Sequence, residues 1–448
     1  MATTIPKEPL VAIVGTTGTG KSDLAIDLAL KFNGEVINAD AMQMYKGLPI
    51  ITNQLTLEEQ KGVPHHLLGI IDPNEASWNV DVFAREATRL IHDIRSRGKL
   101  PIVVGGTHYY IHALLFDDKL ISLKGANDDV LKHRPAQENA VHFPILDGPT
   151  DVMLKRLREV DPELADRWHP DDRRKIRRSL EIFLTTGKRA SDIYSEQKRA
   201  KELSKQTSGP WQSLIFWVYT EPEGLKERLN KRVDKMYKSG LMDEVRLLHE
   251  SRRARTGRGE NVDLTRGIWQ SIGYKQMELF LEAERNHESP DEKDKLKVAG
   301  LEDIKTATRQ YAKYQLRWLR QKTIPALKEH EATDYLFLLD SSNPDNFSTA
   351  VLEPASQICQ GYLNGDALAK PTEVSDTARE VLTAYDEDNS APKAPLKVRT
   401  CELCNVSLQS EEQWQKHIKG RRHYRALRGK KMTALVPVDS DTGVKDRL

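Results

Sequence analysis

The chain has 448 residues, 38% of them hydrophobic, and a formal net charge of +2, so it is long enough for two or three domains with real cores. Nothing in its global charge marks it as a polyanion binder; any basic surface must come from local segregation of sign. Three cysteines, Cys359, Cys401 and Cys404, exclude a disulfide framework and point to a reducing compartment, and no apolar run is long enough for a membrane span. The opening Met1–Leu10 is expected to be neither a signal peptide nor a transit sequence.

The first predicted strand, Leu10–Val14, runs directly into Gly15, Thr16, Thr17, Gly18, Thr19, Gly20, Lys21 and Ser22, and an amphipathic helix starts at once. Gly-x-x-x-x-Gly-Lys-Ser between a strand and a helix is a phosphate cradle. Its glycines turn the backbone so that N–H groups face an anion, the lysine adds a cation, and the serine hydroxyl can sit on Mg²⁺. A Gly-rich turn that binds nothing leaves Lys21 unexplained. The next strand, Glu35–Asn38, places Asp40 just past its C-terminal end, where open α/β sheets put ligand groups. Position alone leaves two roles open for that carboxylate: it can take a proton from a substrate, or it can cap a turn or hold Mg²⁺ through water.

A third strand, Leu100–Val104, ends in Gly105-Gly106-Thr107 with no acidic residue, which argues against a nucleotide hydrolase, whose Mg²⁺ site normally needs a carboxylate there. Further strands are expected at Leu214–Tyr219 and Tyr335–Leu339, with helical patterns between. Strands alternating with helices predict the α/β class, a P-loop NTPase-like parallel sheet. Between about Asp118 and Gly209 the sequence turns to charged helical patterns without strands, read as a helical insertion. Its stripe of Arg173, Arg174, Arg177 and Arg178 can clasp RNA or pair with acids of its own domain. Trp78, Trp211 and Trp217 are expected to pack, not to form stacking platforms.

Lys305, Arg309, Lys313, Arg317 and Arg320 recur at three- to four-residue spacing, so on a helix they share a face, and no acidic residue interrupts from Lys305 to Lys322. Tyr311, Tyr314 and Trp318 are interleaved. Solvated helix faces normally mix signs, so this stripe is expected to track phosphates, with aromatic neighbours for bases. Beyond about residue 345 the sequence is poor in core formers and Asn364–Ser390 is acidic, the signature of a flexible linker. Cys401-x₂-Cys404-x₁₂-His417-x₅-His423 then has zinc-finger spacing: two thiolates and two imidazoles close a tetrahedral Zn²⁺ site. Lys416, Lys419, Arg421, Arg422, Arg425 and Arg428 surround the histidines and favour nucleic-acid contact. The expected domains are 1–117 and 210–345 for the catalytic part, 118–209 for the insertion, 346–395 for an acidic flexible linker, 396–431 for the C2H2-type zinc finger and 432–448 for a tail.

Several motifs in one order resemble a family. The cradle Gly15–Ser22, Ile37-Asn-Ala-Asp40-Ala-Met-Gln-Met-Tyr45, Gly62-Val-Pro-His-His66, Gly105-Gly-Thr-His-Tyr-Tyr110, His169-Pro-Asp-Asp-Arg-Arg174, Arg232-Val-Asp-Lys-Met236, Gly267–Lys275 and Thr308-Arg-Gln-Tyr-Ala-Lys313 resemble those of the eukaryotic tRNA dimethylallyltransferases over about residues 8–340, and the zinc finger resembles their C-terminal extension. The resemblance implies that the cradle holds the diphosphate of dimethylallyl diphosphate in place of ATP, and that the acceptor is N6 of adenine 37 beside the anticodon. By the same resemblance Asp40 is the general base, Thr19 and Thr107 orient donor and base, Arg232 binds diphosphate, and Ser22 holds Mg²⁺. Gln43, Tyr45, Gln270, Ser271 and Lys275 are expected near the flipped or neighbouring bases, with Lys305, Arg309, Gln310, Lys313 and Arg317 on the RNA side. Tyr314 departs from the basic residue of many relatives, and Lys119–Val141 matches nothing in the family pattern. The resemblance also implies substrates among tRNAs reading codons that begin with U; a monomer is expected, in the cytoplasm with mitochondrial and nuclear pools, the nuclear one suggested by Arg428-Gly-Lys-Lys431. A prenyltransferase acting on free adenine nucleotides would keep the catalytic motifs but would not need the Lys305–Arg320 face. A P-loop small-molecule kinase explains neither that face nor the finger, and intact Lys21, Ser22 and Asp40 speak against an RNA-binding protein with a relic P-loop.

Overall fold

The computed structural model describes residues 5–75, 77–116, 143–204, 211–260, 262–390 and 399–427, the last without 402, 405, 409–410, 421–422 and 425–426. The expected 432–448 tail and the Lys119–Val141 segment lie outside the described residues. The chain divides into two compact units, residues 1–124 with 196–390, and 125–195 with 391–448.

The first unit begins with β1 (Pro9–Gly15), α1 (Lys21–Lys31), β2 (Gly34–Asn38), the short β3 (His65–His66), α2 (Val80–Ser96), β4 (Leu100–Val104) and α3 (His108–Leu115). In the second, α4 (Thr150–Val160), α5 (Pro162–Arg167) and α6 (Arg173–Thr186) follow, and α7 (Ala190–Ser204) leads back. The first unit resumes with β5 (Gln212–Tyr219), α8 (Pro222–Lys238), α9 (Leu241–Gly257), α10 (Glu278–Arg285), α11 (Pro290–Trp318), α12 (Ile324–Glu329), β6 (Leu336–Asp340), α13 (Glu353–Asn364) and α14 (Asp376–Ser390). Finally β7 (Arg399–Cys401), β8 (Val406–Leu408) and α15 (Glu411–Ile418) belong to the second unit.

Six strands form one parallel sheet in the order β3-β2-β4-β1-β5-β6. Alternation of side chains along each strand sends Leu10, Ala12 and Val14 into one core layer with Ile37, Val103 and Trp217, and Val11 and Ile13 into the other with Val36, Ile102 and Phe216. Helix α2 covers the first face with Phe83, Ala87 and Ile91; α1 covers the second with Leu24, Ala25 and Leu28. Both faces are therefore buried, the condition for a parallel sheet, and the loops at the C-terminal strand ends are left to bind. The five expected strands are present, and the two-residue β3 at the sheet edge is the one periodicity did not reveal. Trp217 is 1% exposed, Trp211 donates Nε1 to the Leu114 carbonyl at 2.9 Å, and Trp78 packs against the core, as expected for packing residues.

One expectation needs correction. Of the expected linker 346–395, residues 346–390 are described and are not a flexible linker: they carry helices that pack on the sheet, and 391–395 lie outside the described residues. Val351, Ala355, Cys359 and Tyr362, at helical spacing, are buried in the layer with Val11 and Ile13. Tyr385 stacks on Trp217 at 5.5 Å, and Thr377 donates its hydroxyl to Asp340 at 2.7 Å. Glu353, Asp376 and Glu380 are exposed on these helices, so average composition hid an apolar stripe that period reveals.

The insertion has its own core of Leu146, Met153, Leu154, Leu157, Ile176 and Leu180, with Asp161 and Asp172 capping α5 and α6. Of its arginine stripe, Arg173 donates to the Gly148 carbonyl at 2.6 Å, Arg177 to the Leu146 carbonyl at 3.2 Å, and Arg178 pairs with Glu181 at 3.3 Å. These three serve the domain's own structure, and Arg174 is exposed.

Candidate active site

The Gly15–Ser22 loop closes over the C-terminal end of β1 because its glycines sit where side chains do not fit. Gly18 and Gly20 have φ of 87° and 88°, the left-handed region. A Cβ on Gly15 would run into the Val218 carbonyl, and one on Gly20 would lie 2.5 Å from Phe347 Cε2. Phe347 comes from the segment that composition reads as a linker. The loop is braced from inside: Thr19, 1% exposed, donates its hydroxyl to the Thr16 carbonyl at 3.0 Å, and Lys21 Nζ donates to the same carbonyl at 2.6 Å. Thr19 thus shapes the loop. Ser22, partly buried, opens α1 beside it.

Arg232 reaches in from α8 and donates Nη1 to Thr17 Oγ1 at 2.7 Å, while its buried Nε has no hydrogen-bond partner among the described residues. Burial lowers the Arg232 pKa, and the negative charge of Asp40 works against that. Burial also pushes the Lys21 ammonium down to about 8; Asp40 raises it and Arg232 lowers it. Lys21, Arg232 and Asp40 therefore share one electrostatic neighbourhood, two cations and a carboxylate at the mouth of the cradle.

Asp40 stands just past β2. Its N–H donates to Asn38 Oδ1 at 3.1 Å, and its Oδ1 accepts the Met42 N–H at 3.1 Å. Burial raises its pKa above the ordinary carboxylate value, and hydrogen bonds from Met42 and Gln43 with the charges of Lys21 and Arg232 hold the rise back. The opposite wall is the turn after β4. Gly105 packs so closely on Ala39 that a Cβ would clash with its carbonyl, so this position has no room for a side chain. A Cβ on Gly106 would lie 3.0 Å from Asp40 Oδ2 and 2.5 Å from Gln315 Nε2. Thr107 accepts the Ala41 N–H on its hydroxyl at 2.9 Å, which ties this wall to the Asp40 loop.

Sequence reasoning missed three residues here. Gln315 is 1% exposed and binds both walls; Tyr311 donates its hydroxyl to the Gly106 carbonyl at 3.3 Å, and burial raises its pKa. His108 is 4% exposed, and burial with the Lys21 charge lowers its pKa to about 3 against a raising backbone hydrogen bond at Gly15, so it is neutral. Tyr311 was legible only as an aromatic of the basic stripe, Gln315 gave no signal within it, and His108 was legible only as the residue after Thr107.

The expected RNA residues divide. Gln270, Lys275, Gln310, Lys313 and Arg317 are exposed, and Gln43 is partly exposed with its amide donating to the Asn53 carbonyl at 2.7 Å. Tyr45 and Ser271 are not surface contacts: they are 3% and 2% exposed, and burial raises the Tyr45 pKa to about 12. Their motif spacing is right, but both side chains point into the core. Lys305 is held by Asp234 at 2.9 Å and Glu302 at 3.0 Å, and Arg309 donates to Asn230 at 2.5 Å. Asp234 comes from α8, 71 positions away in the sequence, a partner no reading of α11 alone supplies. Tyr314 is 51% exposed and packs at 6.3 Å against Trp318, which also meets Tyr109 at 5.7 Å.

In the second unit, one donor atom each from Cys401, Cys404, His417 and His423 lies within 4.8 Å of the others. His423 Nδ1 is 3.5 Å from both sulfurs and 3.2 Å from His417 Nε2. Tetrahedral Zn²⁺ with bonds of about 2.3 Å to sulfur and about 2.0 Å to nitrogen gives N–N and S–N edges of roughly 3.3–3.5 Å. The donor set therefore fits Zn²⁺, framed by the β7–β8 hairpin and α15.

Comparison with known proteins agrees in sequence and fold. The family described as IPP transferase matches residues 43–322, isopentenyl transferase matches residues 8–66, and the zinc-finger of C2H2 type matches residues 399–423. The tRNA dimethylallyltransferase of Schizosaccharomyces pombe is 38% identical over 439 residues, covering 95% of this chain and 96% of the relative. The Homo sapiens tRNA dimethylallyltransferase is 35% identical over 423 residues, covering 94% and 86%. A solved structure of a eukaryotic dimethylallyltransferase acting on tRNA matches with a TM-score of 0.73 at 33% identity, covering 96% of this chain and 98% of that one.

Proposed function

The chain belongs to the tRNA dimethylallyltransferase family, and from that premise we propose that it transfers the dimethylallyl group of dimethylallyl diphosphate to N6 of adenine 37 in the anticodon loop of tRNA, releasing diphosphate. One observation carries the chemistry: a phosphate cradle with Lys21 and Arg232 opens beside a carboxylate, Asp40, whose pKa is raised by burial. An exocyclic adenine amine is a weak nucleophile because its lone pair is delocalised into the ring, so a positioned base matters. As the N6–C1 bond forms, the allylic C1–O bond breaks, the electron pair leaves with the diphosphate, and the N6 proton passes to Asp40. Lys21, Arg232 and the loop amides face the charge that grows on the diphosphate. Ser22 would hold Mg²⁺, whose charge offsets that of the leaving group.

Adenine 37 must leave its stack to reach Asp40, at a cost of a few kcal/mol. The exposed cations Lys313 and Arg317, with Gln310 and Tyr314, supply RNA contacts on α11 beside the site. The proposal further takes the protein as a monomer of the cytoplasm with nuclear and mitochondrial pools. The three free cysteines, two of them in the metal cluster, support only the reducing compartment in that reading.

Incubation with labelled dimethylallyl diphosphate or ATP, offered tRNA or AMP, tests this directly. Nucleoside mass spectrometry is expected to find the prenyl label on one adenosine of tRNA. Label on AMP alone would favour the free-nucleotide reaction, and phosphate transfer from ATP would make the protein a kinase.

A further inference from the structure

Gln315 projects from the buried side of α11, in the row Ile304, Thr308, Ala312 and Gln315, while Lys313 and Arg317 of the same helix are exposed. Its carboxamide is used in both directions. Oε1 accepts the Thr17 N–H at 2.8 Å, and Nε2 donates to the Gly106 carbonyl at 2.8 Å. A backbone N–H can only donate and a carbonyl can only accept, so these partners fix the amide's orientation.

The two partners lie on opposite walls of the site. Thr17 belongs to the cradle, and its hydroxyl accepts from Arg232. Gly106 precedes Thr107, which ties down the Asp40 loop, and a Cβ on Gly106 would come within 3.0 Å of Asp40 Oδ2. We propose that Gln315 is a positioning residue that sets the spacing between the diphosphate cradle and the Asp40 wall, from the helix whose outer side meets RNA; this rests on the prenyl-transfer reading above. Both bonds need a planar group with an acceptor and a donor. An ionised carboxylate keeps the bond to Thr17 but sets lone pair against lone pair at Gly106, and a thioether makes neither bond.

Because the donor and RNA contacts are made by other residues, a small relative shift of the walls misaligns the reacting atoms and leaves both ligands bound. Misplacement of about 1 Å can reduce rate about 10²-fold. Full-length Gln315→Glu at neutral pH is expected to transfer prenyl groups about 10–100-fold more slowly in single turnovers at saturating donor and tRNA. Its Kd for tRNA and for inorganic diphosphate is expected to stay within about threefold of the parent, well short of that loss in rate.

The specific signature is pH. Protonation turns the introduced carboxyl into a group with an O–H for Gly106 and a C=O for Thr17, so the deficit relative to the parent should shrink as pH falls. Gln315→Met fills similar volume and should stay slow at every pH. A pH-independent deficit in Gln315→Glu, a loss confined to either Kd, or parent-like turnover by Gln315→Met would overturn the assignment. The parent run alongside separates the two levels of the claim. A parent that transfers no prenyl group removes the functional reading and this inference with it, whereas with a competent parent the behaviour of the variants alone decides whether Gln315 sets the spacing.

Discussion

Sequence spacing points to phosphate at two places, Gly15–Ser22 and Lys305–Arg317, and the fold treats them differently. In the first, neighbouring residues build the geometry: positive φ at Gly18 and Gly20 curls the loop, and Thr19 and Lys21 both close on the Thr16 carbonyl. In the second, the helix fixes only which residues share a side, and distant elements decide what each one does. Lys305 goes to Asp234 of α8, Arg309 to Asn230, and Arg320 lies 4.3 Å over the Tyr385 ring of α14, which leaves Lys313 and Arg317 facing solvent. A local motif survives translation into structure; a periodic stripe is an inventory from which packing selects.

This contrast fails first if the cradle end is not where chemistry happens. Asp40→Asn keeps shape while removing the basic site, and single-turnover transfer should fall by about 10²–10⁴ with little change in donor or tRNA affinity. Turnover within a few-fold of the parent would remove Asp40 from the role of base. Lys21→Ala should reduce kcat by about 10²–10³, as for loss of one charge-stabilising donor, and should weaken donor binding too. Its pH dependence isolates the lysine's share. With its pKa lowered to about 8, Lys21 in the free protein is charged below that pH and loses its proton above it. Donor kcat/KM should therefore decline as pH rises past about 8 in the parent, and rise on the acid side as Asp40 ionises. Lys21→Ala should lose the alkaline limb and keep the acid one.

Much of this was legible in the sequence where the physics is short-range. Strand positions, cradle and finger spacing depend on residues within a turn or a hairpin of one another. What was not legible depends on contacts more than a hundred positions apart. Phe347 against Gly20, Gln315 between Thr17 and Gly106, and Tyr385 on Trp217 are such pairs. The linker reading failed for a related reason: a net acidic composition averages over residues such as the exposed Glu353, Asp376 and Glu380, while Ala355, Cys359 and Tyr362 are settled by what they touch. Tyr45 and Ser271 show the converse limit, since a family motif can be matched in full by residues that serve the core.

The finger belongs with the cradle, as a site made by local spacing, and it offers a test that leaves the catalytic unit whole. That unit ends at Ser390. A chain cut there should keep its single-turnover rate at saturating tRNA, because Lys21, Asp40 and Arg232 all belong to the unit that is retained. Its tRNA Kd should rise about tenfold through lost effective concentration, with a shallower salt dependence as Lys416 and Lys419 leave with the finger. Zinc chelation and Cys404→Ser should reproduce both changes, since three ligands cannot hold so small a fold. Unaltered Kd and salt slope in the cut chain would assign the finger to something other than tRNA binding.

The smallest effect discriminates most finely within α11, because it sets two cations of one helical stripe against each other. Arg317 is exposed, so Arg317→Ala should raise the tRNA Kd a few-fold and lower the slope of log Kd against log salt by about 0.7–0.9, one phosphate's share of released counterions. Lys305, with 16% of its side chain exposed, already has carboxylates at 2.9 and 3.0 Å. A phosphate would have to displace them, so Lys305→Ala should leave the salt slope unchanged and alter thermal stability by no more than about 1 kcal/mol, the range of a partly exposed ion pair. Equal slope changes in both variants would mean that RNA pulls Lys305 off Asp234, and that the stripe acts as its spacing says, whatever partners the folded chain gives it.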